Sequence, residues 1–236
     1  MISYVPSNTD VLILCGGKGR RIQSIAKGRP KSMIDINGMP FLDILIDYID
    51  NLGFKRIVLC IGYRSGFIKK YYSGRKNRLE IVFSEEKELL GTGGAIKNAG
   101  PFIKSLQFLV LNGDSFCRID LQDFLRFHIE KHAGCSMVLT RIESSKDYGA
   151  VSLNETGEIT AFNEKSKNEN NGFINAGIYA LNKELLSLIP GGKKFSLEKQ
   201  LFPGIVNKRF YGYITERPLI DIGVPKRYNL ANEMFK

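Results

Sequence analysis

Residues 11–22 read VLILCGGKGRRI, an apolar run that passes directly into glycines and basic residues. A short apolar run bounded by glycine is typical of a buried strand. In α/β proteins, the loop that leaves the carboxyl end of such a strand is a common place for a ligand. The stretch therefore predicts an α/β fold whose first strand ends in a binding loop.

The loop has the chemistry of a phosphate site. It and the segment that follows, up to position 32, hold six basic side chains and no acid. Its glycines are Gly16, Gly17 and Gly19. Glycine permits positive φ and lets successive N–H groups face an anion, while Arg21 and Lys31 would add full charges. A purely structural turn stays open, but the clustered basic residues favour phosphate.

Two familiar glycine loops fit poorly. A P-loop needs Ser or Thr after its Gly-Lys pair, whereas the two Gly-Lys pairs here are followed by Gly19 and Lys194. A dinucleotide loop needs a third glycine where this chain has Ile22. The loop therefore indicates a phosphate ligand of another kind.

Composition is that of a globular protein, with 43% hydrophobic and 25% charged residues among 236. We expect one domain over 1–236. With neither a leader pattern nor an apolar run of membrane-spanning length, a cytoplasmic location is expected. The net charge of +10 suits nucleic acid, an anionic membrane or small phosphorylated substrates. The concentration of basic residues in a glycine loop favours small phosphorylated substrates. The four scattered cysteines indicate buried, reduced thiols.

Strands and helices alternate along the first half of the chain. Predicted strands are 11–14, 33–36, 57–61, 79–83, 108–111, 136–141, 150–153, 159–162, 174–181 and 211–215. Predicted helices are 41–52, 65–72, 93–99, 120–131 and 225–235. This order indicates a Rossmann-like, mixed and mainly parallel sheet flanked by helices, with mixed or antiparallel pairing in the second half.

Two aspartates follow apolar runs, Asp114 through a glycine and Asp221 directly. If both reach the sheet edge that carries the glycine loop, they would suit Mg²⁺, which binds one or two carboxylates together with phosphate oxygens. The alternative is that both are ordinary turn residues. His128 and His132 stand four apart on a predicted helix, but Ile129 replaces the glutamate of a zinc protease, so we expect solvated surface histidines.

Several motifs in order resemble the sugar-1-phosphate nucleotidylyltransferase family over nearly the whole chain. They are Gly16-Gly17-Lys18-Gly19-Arg20-Arg21-Ile22, Pro30-Lys31, Leu90-Gly91-Thr92-Gly93-Gly94-Ala95, Asn112-Gly113-Asp114, Glu164-Lys165, Asn175-Ala176-Gly177 and Asp221-Ile222-Gly223. The chain departs from that family at Arg20, where Thr or Ser is usual, and at Ser32, where Pro is frequent. The resemblance implies a single-domain, GT-A-like nucleotidyltransferase fold. It also implies a nucleotide-binding half at about 1–115 and a sugar-phosphate-binding half at about 116–236.

The resemblance also implies a reaction and a set of roles. A sugar 1-phosphate would attack the α-phosphorus of a nucleoside triphosphate and release pyrophosphate. Catalytic roles fall to Arg21 and Lys31, and Mg²⁺ binding falls to Asp114 and Asp221. The implied nucleotide contacts are Leu14, Gly16, Gly17, Gly19, Thr92, Gly93 and Asn112. The implied sugar-phosphate contacts are Gly149, Glu164, Lys165 and Asn175.

The Cys15-Gly16-Gly17 start and the short chain are most similar to family members that use GTP and a D-glycero-α-D-manno-heptose 1-phosphate in polysaccharide or capsule biosynthesis. Uridylyl transfer to a hexose or amino-sugar phosphate is the alternative. A non-enzymatic nucleotide-sugar sensor or a nucleic-acid binder is a further alternative. We expect a nucleotide and a sugar phosphate as partners, with no nucleic acid and no membrane, and the sequence predicts no oligomeric state.

Overall fold

The computed structural model describes residues 5–74, 78–142, 150–163 and 172–235. Its strands, in chain order, are β1 (Asp10–Leu14), β2 (Asp35–Ile36), β3 (Met39–Pro40), β4 (Arg56–Ile61), β5 (Glu80–Glu85), β6 (Gln107–Asn112), β7 (Ser115–Cys117), β8 (Cys135–Ile142), β9 (Ala150–Leu153), β10 (Ile159–Asn163), β11 (Gly172–Asn182), β12 (Phe210–Thr215) and β13 (Leu219–Asp221). Its α-helices are α1 (Gln23–Ala26), α2 (Phe41–Asn51), α3 (Ser65–Ser73), α4 (Gly91–Ala99), α5 (Leu121–Glu130), α6 (Phe202–Ile205) and α7 (Pro225–Met234). A π-helical turn, Leu197–Leu201, precedes α6.

Within these ranges, nine strands form one mixed sheet. Strands β6, β1, β4 and β5 lie side by side and are parallel. Strand β11 pairs antiparallel with β6 and carries β8 and β9, which are also antiparallel to it. The predicted α/β fold, parallel in its first half and mixed in its second, is confirmed.

Strand β1 lies in the middle because both of its faces are apolar. Val11 and Ile13 belong to one hydrophobic cluster, while Leu12, which points the other way, belongs to a second cluster. All three side chains are fully buried. A strand covered on both faces has this continuous apolar sequence. The glycine loop begins at the carboxyl end of this strand.

A second, two-stranded sheet extends the edge at which β1 and β6 end. Strand β13 pairs antiparallel with β7, and Asp221 lies opposite Ser115. The Ile222 amide donates to the Asp114 carbonyl over 3.1 Å. A segment from near the end of the chain is thereby held against the turn that follows β6.

The structure corrects the prediction of a strand over 33–36. Lys31–Met33 forms a 3-10 turn, and the strand is limited to Asp35–Ile36. This turn buries Ser32 and Met33 and aims Lys31 away from the hydrophobic core toward the loop after β6.

The prediction that both histidines are solvated is wrong for His128. Its ring is fully buried, with Nδ1 2.8 Å from Ser136 Oγ and Nε2 3.1 Å from Asn182 Oδ1. Burial lowers the pKa of His128 to about 4, so the ring is neutral near pH 7. His132 is exposed and lies beyond the end of α5. The two rings therefore share no helix face.

Cys15, Cys60, Cys117 and Cys135 are buried free thiols, as predicted. In the part of the chain that the structure describes, no helix combines the length and the apolar character that crossing a bilayer requires.

Candidate nucleotide-binding site

A cavity of about 510 Å³ opens at the carboxyl ends of β1 and β6. Its volume lies in the range that small-molecule sites occupy, about 300–1,000 Å³. Predicted site residues that line it are Leu14, Gly16, Gly17, Gly19, Arg21, Lys31, Thr92, Asn112 and Asp114. Residues distant in sequence thus meet at one opening.

The loop glycines leave room for protein side chains as well as for a ligand. A Cβ added to Gly16 would stand 2.1 Å from Glu86 Oε1, and one added to Gly19 would stand 2.9 Å from Lys31 Cβ. Gly19 also has a φ of +56°, which side chains rarely adopt. At Gly17 an added Cβ would meet no described atom within 4 Å. This glycine leaves its backbone open toward the cavity.

Glu86 is a cavity residue that the sequence did not reveal. It is only 8% exposed, and its Oε2 accepts a 2.8 Å hydrogen bond from the Leu90 amide. Burial raises the pKa of the Glu86 carboxyl, although the hydrogen bond from Leu90 works in the opposite direction. An ionised carboxylate is purely an acceptor, so Glu86 offers the cavity a site for hydrogen-bond donors.

Cations line the cavity in excess of acids. Arg20, Arg21 and Lys194 are exposed at its wall. Among the described residues, none of these three side chains has a hydrogen-bond or ion-pair partner. Glu86 and Asp114 are the acidic lining residues. This balance suits a ligand with several negative charges.

Asp114 and Asp221 reach the same corner of the molecule. Asp114 Oδ2 is 2.5 Å from Lys31 Nζ, and the Asp114 side chain is 44% exposed. Asp221 accepts the Gly223 amide at Oδ1 over 2.7 Å and lies 3.0 Å from Arg227 Nε at Oδ2. Of the two carboxylates, only Asp114 is among the described lining residues, and Asp221 stands behind Gly223, which also lines the cavity.

The donor set of this corner fits a magnesium ion. A Cβ placed on Gly223 would lie 2.8 Å from Asp221 Oδ1 and 3.4 Å from Lys31 Nζ, so Gly223 is next to both Asp221 and the ammonium group that pairs with Asp114. Mg²⁺ prefers one or two carboxylates and takes its other ligands from phosphate and water. Among the described residues, no third Asp, Glu, His or Cys joins them in a cluster that could hold a metal.

The polar groups of Thr92 and Gly93 are already engaged by another part of the chain. The Thr92 hydroxyl donates to Glu198 Oε2 over 2.7 Å and accepts from the Leu197 amide over 2.9 Å. The Gly93 amide donates to the Phe195 carbonyl over 3.0 Å. Gly93 is absent from the described lining residues, and direct contact of either residue with a nucleotide stays a prediction.

Asn175 lies in an irregular part of β11, where the pairing with β8 shifts register before Tyr179. Its Oδ1 accepts from the Gly177 amide and its Nδ2 donates to the Tyr179 hydroxyl, both over 2.8 Å. A Cβ on Gly177 would stand 2.7 Å from Asn112 Nδ2. The bulge therefore connects Asn175 to the cavity wall through Asn112. The predicted contacts Gly149, Glu164 and Lys165 lie outside the described residues.

Comparison with known proteins identifies the family of this chain. The sequence profile of the nucleotidyl transferase family matches residues 10–233. The D-glycero-alpha-D-manno-heptose 1-phosphate guanylyltransferase of Campylobacter jejuni is 37% identical over 217 residues, which cover 92% of this chain and 96% of that protein. The protein of the same name from Aneurinibacillus thermoaerophilus is 33% identical over 225 residues, which cover 95% and 97%.

Solved structures of related sequence also superpose on this chain. The crystal structure of HddC from Yersinia pseudotuberculosis superposes with a TM-score of 0.87 at 34% sequence identity, covering 97% of this chain and all of that one. A second structure of HddC, complexed with GMP-PN, superposes with a TM-score of 0.85. The nucleotidyltransferase fold expected from the sequence motifs is confirmed.

Proposed function

The chain belongs to the nucleotidyl transferase family, and on that premise we propose that it transfers a guanylyl group from GTP to D-glycero-α-D-manno-heptose 1-phosphate. The products would be the GDP-heptose and pyrophosphate. One observation carries the proposal: Glu86, Arg21, Lys31 and Asp114 line a single cavity. That cavity offers a carboxylate acceptor for a base and charged groups for a triphosphate and its cation.

The Glu86 carboxylate matches the hydrogen-bond donors of guanine better than those of another base. The N1–H and N2–H₂ groups of guanine are adjacent donors that one carboxylate can accept together. Adenine places an acceptor at N1, and uracil flanks its single N–H with carbonyl oxygens. Leu89, 38% exposed at the cavity wall, would offer an apolar surface to the base.

The reaction needs alignment of two anions rather than a covalent enzyme intermediate. A phosphate oxygen of the sugar phosphate would attack the α-phosphorus, and the bond from that phosphorus to the α,β-bridging oxygen would break. Pyrophosphate would leave with the electron pair. The attacking oxygen is already anionic, so no general base is required.

The proposed catalytic residues neutralise the charge that accumulates. Arg21 would face the departing pyrophosphate, and Lys31 would contact the transferring phosphate after leaving Asp114. Removal of one such preorganised group costs about 2.7–4 kcal/mol in comparable sites. Asp114 and Asp221 would hold Mg²⁺, which supplies charge neutralisation at the α-phosphate when bound.

We assign the sugar end by family likeness. Lys165 would bind the phosphate of the sugar phosphate, Glu164 and Asn175 would contact sugar hydroxyls, and Gly149 would leave room for the ring. Asn175 keeps one amide hydrogen beyond the hydrogen bonds described above. Because a GDP-sugar is an activated donor made from cytoplasmic GTP, we assign the reaction to the cytoplasm and its product to surface polysaccharide or capsule synthesis.

Pyrophosphate release tests the proposal. Four nucleoside triphosphates are combined with the heptose 1-phosphate and with mannose, glucose and N-acetylglucosamine 1-phosphates in the presence of Mg²⁺. The expected result is release with GTP and the heptose phosphate. Preference for UTP and a hexose phosphate would replace the proposal with uridylyl transfer, and no release from any pair would overturn it.

A matched pair of variants checks the role of the carboxylate. Asp114→Asn is expected to lower kcat by about 10²–10³-fold, because one charged group of the site is lost. Asp123→Asn is the control, since its side chain is also 44% exposed and pairs with Arg126 on α5. Equal rates for the two variants would remove Asp114 from the site.

A further inference from the structure

Residues Lys193–Leu197 form a strap across the beginning of α4. The Phe195 carbonyl accepts from the Gly93 and Gly94 amides, both over 3.0 Å. The Phe195 amide donates to the Leu90 carbonyl over 2.8 Å. The strap is therefore fixed to the cavity wall by both backbone polar groups of Phe195, the residue that follows Lys194.

Missing side chains allow this close approach. A Cβ on Gly91 would stand 2.8 Å from the Phe195 carbonyl oxygen, and one on Gly94 would stand 2.9 Å from the Lys193 carbonyl oxygen. Thr92 holds the far end of the strap through the Leu197 amide. The Cα position of Lys194 is thus set by contacts before and after it, although its side chain is exposed.

The strap has two neighbouring lysines, and they differ in whether they line the cavity. Both are exposed, but among the described residues that line the cavity Lys194 is present and Lys193 is not. Lys194 has no hydrogen-bond or ion-pair partner in the described ranges. An ammonium group there can donate three hydrogen bonds to a ligand.

The Glu86 carboxylate and the backbone next to Lys194 are both hydrogen-bonded to Leu90, and both residues line the cavity. The Leu90 amide donates to Glu86, and the Leu90 carbonyl accepts from the residue after Lys194. Guanine has a matching order of groups, since its O6 acceptor is adjacent to the N1–H donor. A cation beside a carboxylate would therefore meet O6 while the carboxylate meets N1–H and N2–H₂.

We propose that Lys194 determines base specificity by donating a hydrogen bond to O6 of guanine. The proposal rests on the proposed use of GTP and extends it to a residue on the strap. Adenine presents an amino group at this position, so the ammonium would face donors instead of an acceptor. Glu86 and Lys194 together would read the donor and acceptor parts of one base edge.

Equilibrium binding with base analogues tests this role. Dissociation constants are measured by calorimetry for GTP, ITP and 2-aminopurine riboside triphosphate, with the parent protein, Lys194→Met and Lys193→Met. ITP keeps O6 and lacks the 2-amino group, whereas 2-aminopurine lacks O6. Lys194→Met is expected to weaken GTP and ITP about tenfold and to leave the 2-aminopurine nucleotide unchanged. Lys193→Met is expected to bind all three like the parent.

Two outcomes overturn the inference. An equal loss for all three nucleotides would mean that Lys194 contacts phosphate, and no loss for any of them would mean that it contacts nothing on the nucleotide. The proposed function has its own test in the parent protein: if the parent neither binds GTP nor releases pyrophosphate from it, that function fails. Turnover of GTP with an unchanged analogue pattern in Lys194→Met would reject only the role of Lys194.

Discussion

Glu86 and Gly16 form a pair at the scale of single residues. Any side chain at position 16 would occupy the space of the Glu86 carboxylate, which an added Cβ would approach to 2.1 Å. At a second glycine, Gly62, an added Cβ would stand 2.8 Å from the same carboxylate oxygen. These glycines therefore make space for an acidic group, in addition to any contact they make with phosphate.

Glu86→Gln is expected to separate nucleotide binding from stability. The amide still accepts from Leu90, but its NH₂ group opposes the guanine donors, so affinity for GTP falls about 10- to 100-fold. The free variant is expected to be as stable as the parent or more stable at pH 8. Because the pKa of Glu86 is raised on folding, its contribution to stability is present at low pH and is lost as pH rises.

Nucleotide titration and urea unfolding at pH 8 measure both effects. The affinity of the variant for ITP is expected to change less than its affinity for GTP, since ITP lacks the 2-amino donor. An unchanged affinity of the variant for GTP would exclude Glu86 from base recognition.

His128 makes the stability of the fold depend on pH. Its pKa is lowered from 6.5 to about 4, so the unfolded chain binds a proton in a range where the folded chain does not. Stability is expected to fall by about 3 kcal/mol as pH decreases from 6.5 to 4 through this residue alone.

Urea unfolding of the parent, His128→Gln and His132→Gln across this pH range isolates the effect. The difference in stability between the parent and His128→Gln is expected to shrink toward acid pH. The exposed His132 provides the matched control, and its variant is expected to follow the parent. A pH-independent difference for His128→Gln would contradict the lowered pKa.

Single residues also show which features cannot be predicted from sequence patterns. Glu86 belongs to the charged run Glu85-Glu86-Lys87-Glu88, which is typical of a solvated surface. In the structure Glu85 is exposed while Glu86 turns inward under the glycine loop. Only the three-dimensional path of the chain after β5 distinguishes them. Conspicuous motifs mark Arg21, Lys31 and Asp114, so their place at the cavity could be expected from the sequence, while their roles stay predictions.

At the scale of elements, the strap and α4 depend on each other. The Leu197 amide is fully buried and finds its acceptor in the Thr92 hydroxyl. Glu198 accepts hydrogen bonds from both Thr92 and Ser196 over 2.7 Å. A helix that begins with glycines is thereby held in place by a segment far away in sequence.

Thr92→Val is expected to loosen this junction. Valine has the shape of threonine but leaves the Leu197 amide without an acceptor, which costs about 1–3 kcal/mol of stability. The KM for GTP is expected to rise because the strap carries Lys194. Thr92→Ser keeps the hydroxyl and serves as the control.

Chemical denaturation and steady-state kinetics of the two variants provide the measurement. If Thr92→Val were as stable as Thr92→Ser, the hydroxyl would not hold the strap.

Longer elements could be predicted, and shorter ones could not. Strands β1, β4 and β6 and helix α2 have clear apolar patterns, and their positions agree with those expected from the sequence within two residues. Strands β3, β7 and β13 have two or three residues each, too few for a period to appear. The pairing of β7 with β13, which places Asp221 opposite Ser115, was not predicted.

At the scale of the whole molecule, the halves are connected by a ladder of hydrogen bonds. Strand β6 from the first half pairs with β11 from the second half over five residue pairs. The hydrogen bond from the Ile222 amide to the Asp114 carbonyl makes a second connection next to the cavity. We therefore continue to propose that 1–236 is one nucleotidyltransferase domain.

The chain is expected to unfold in one cooperative transition. Scanning calorimetry is expected to give equal van't Hoff and calorimetric enthalpies, because neither half keeps a complete sheet without the other. GTP at 100 times its dissociation constant is expected to stabilise the protein by about 2.7 kcal/mol. Two separate transitions, with only one of them shifted by GTP, would contradict the single-domain proposal.

A crystal structure with Mn²⁺ and a non-hydrolysable GTP analogue tests the assembly of the site most directly. The anomalous signal of manganese is predicted between the carboxylates of Asp114 and Asp221, with the guanine edge on Glu86 and the triphosphate beside Arg21. A metal bound elsewhere, or a base that points away from Glu86, would contradict the proposed site.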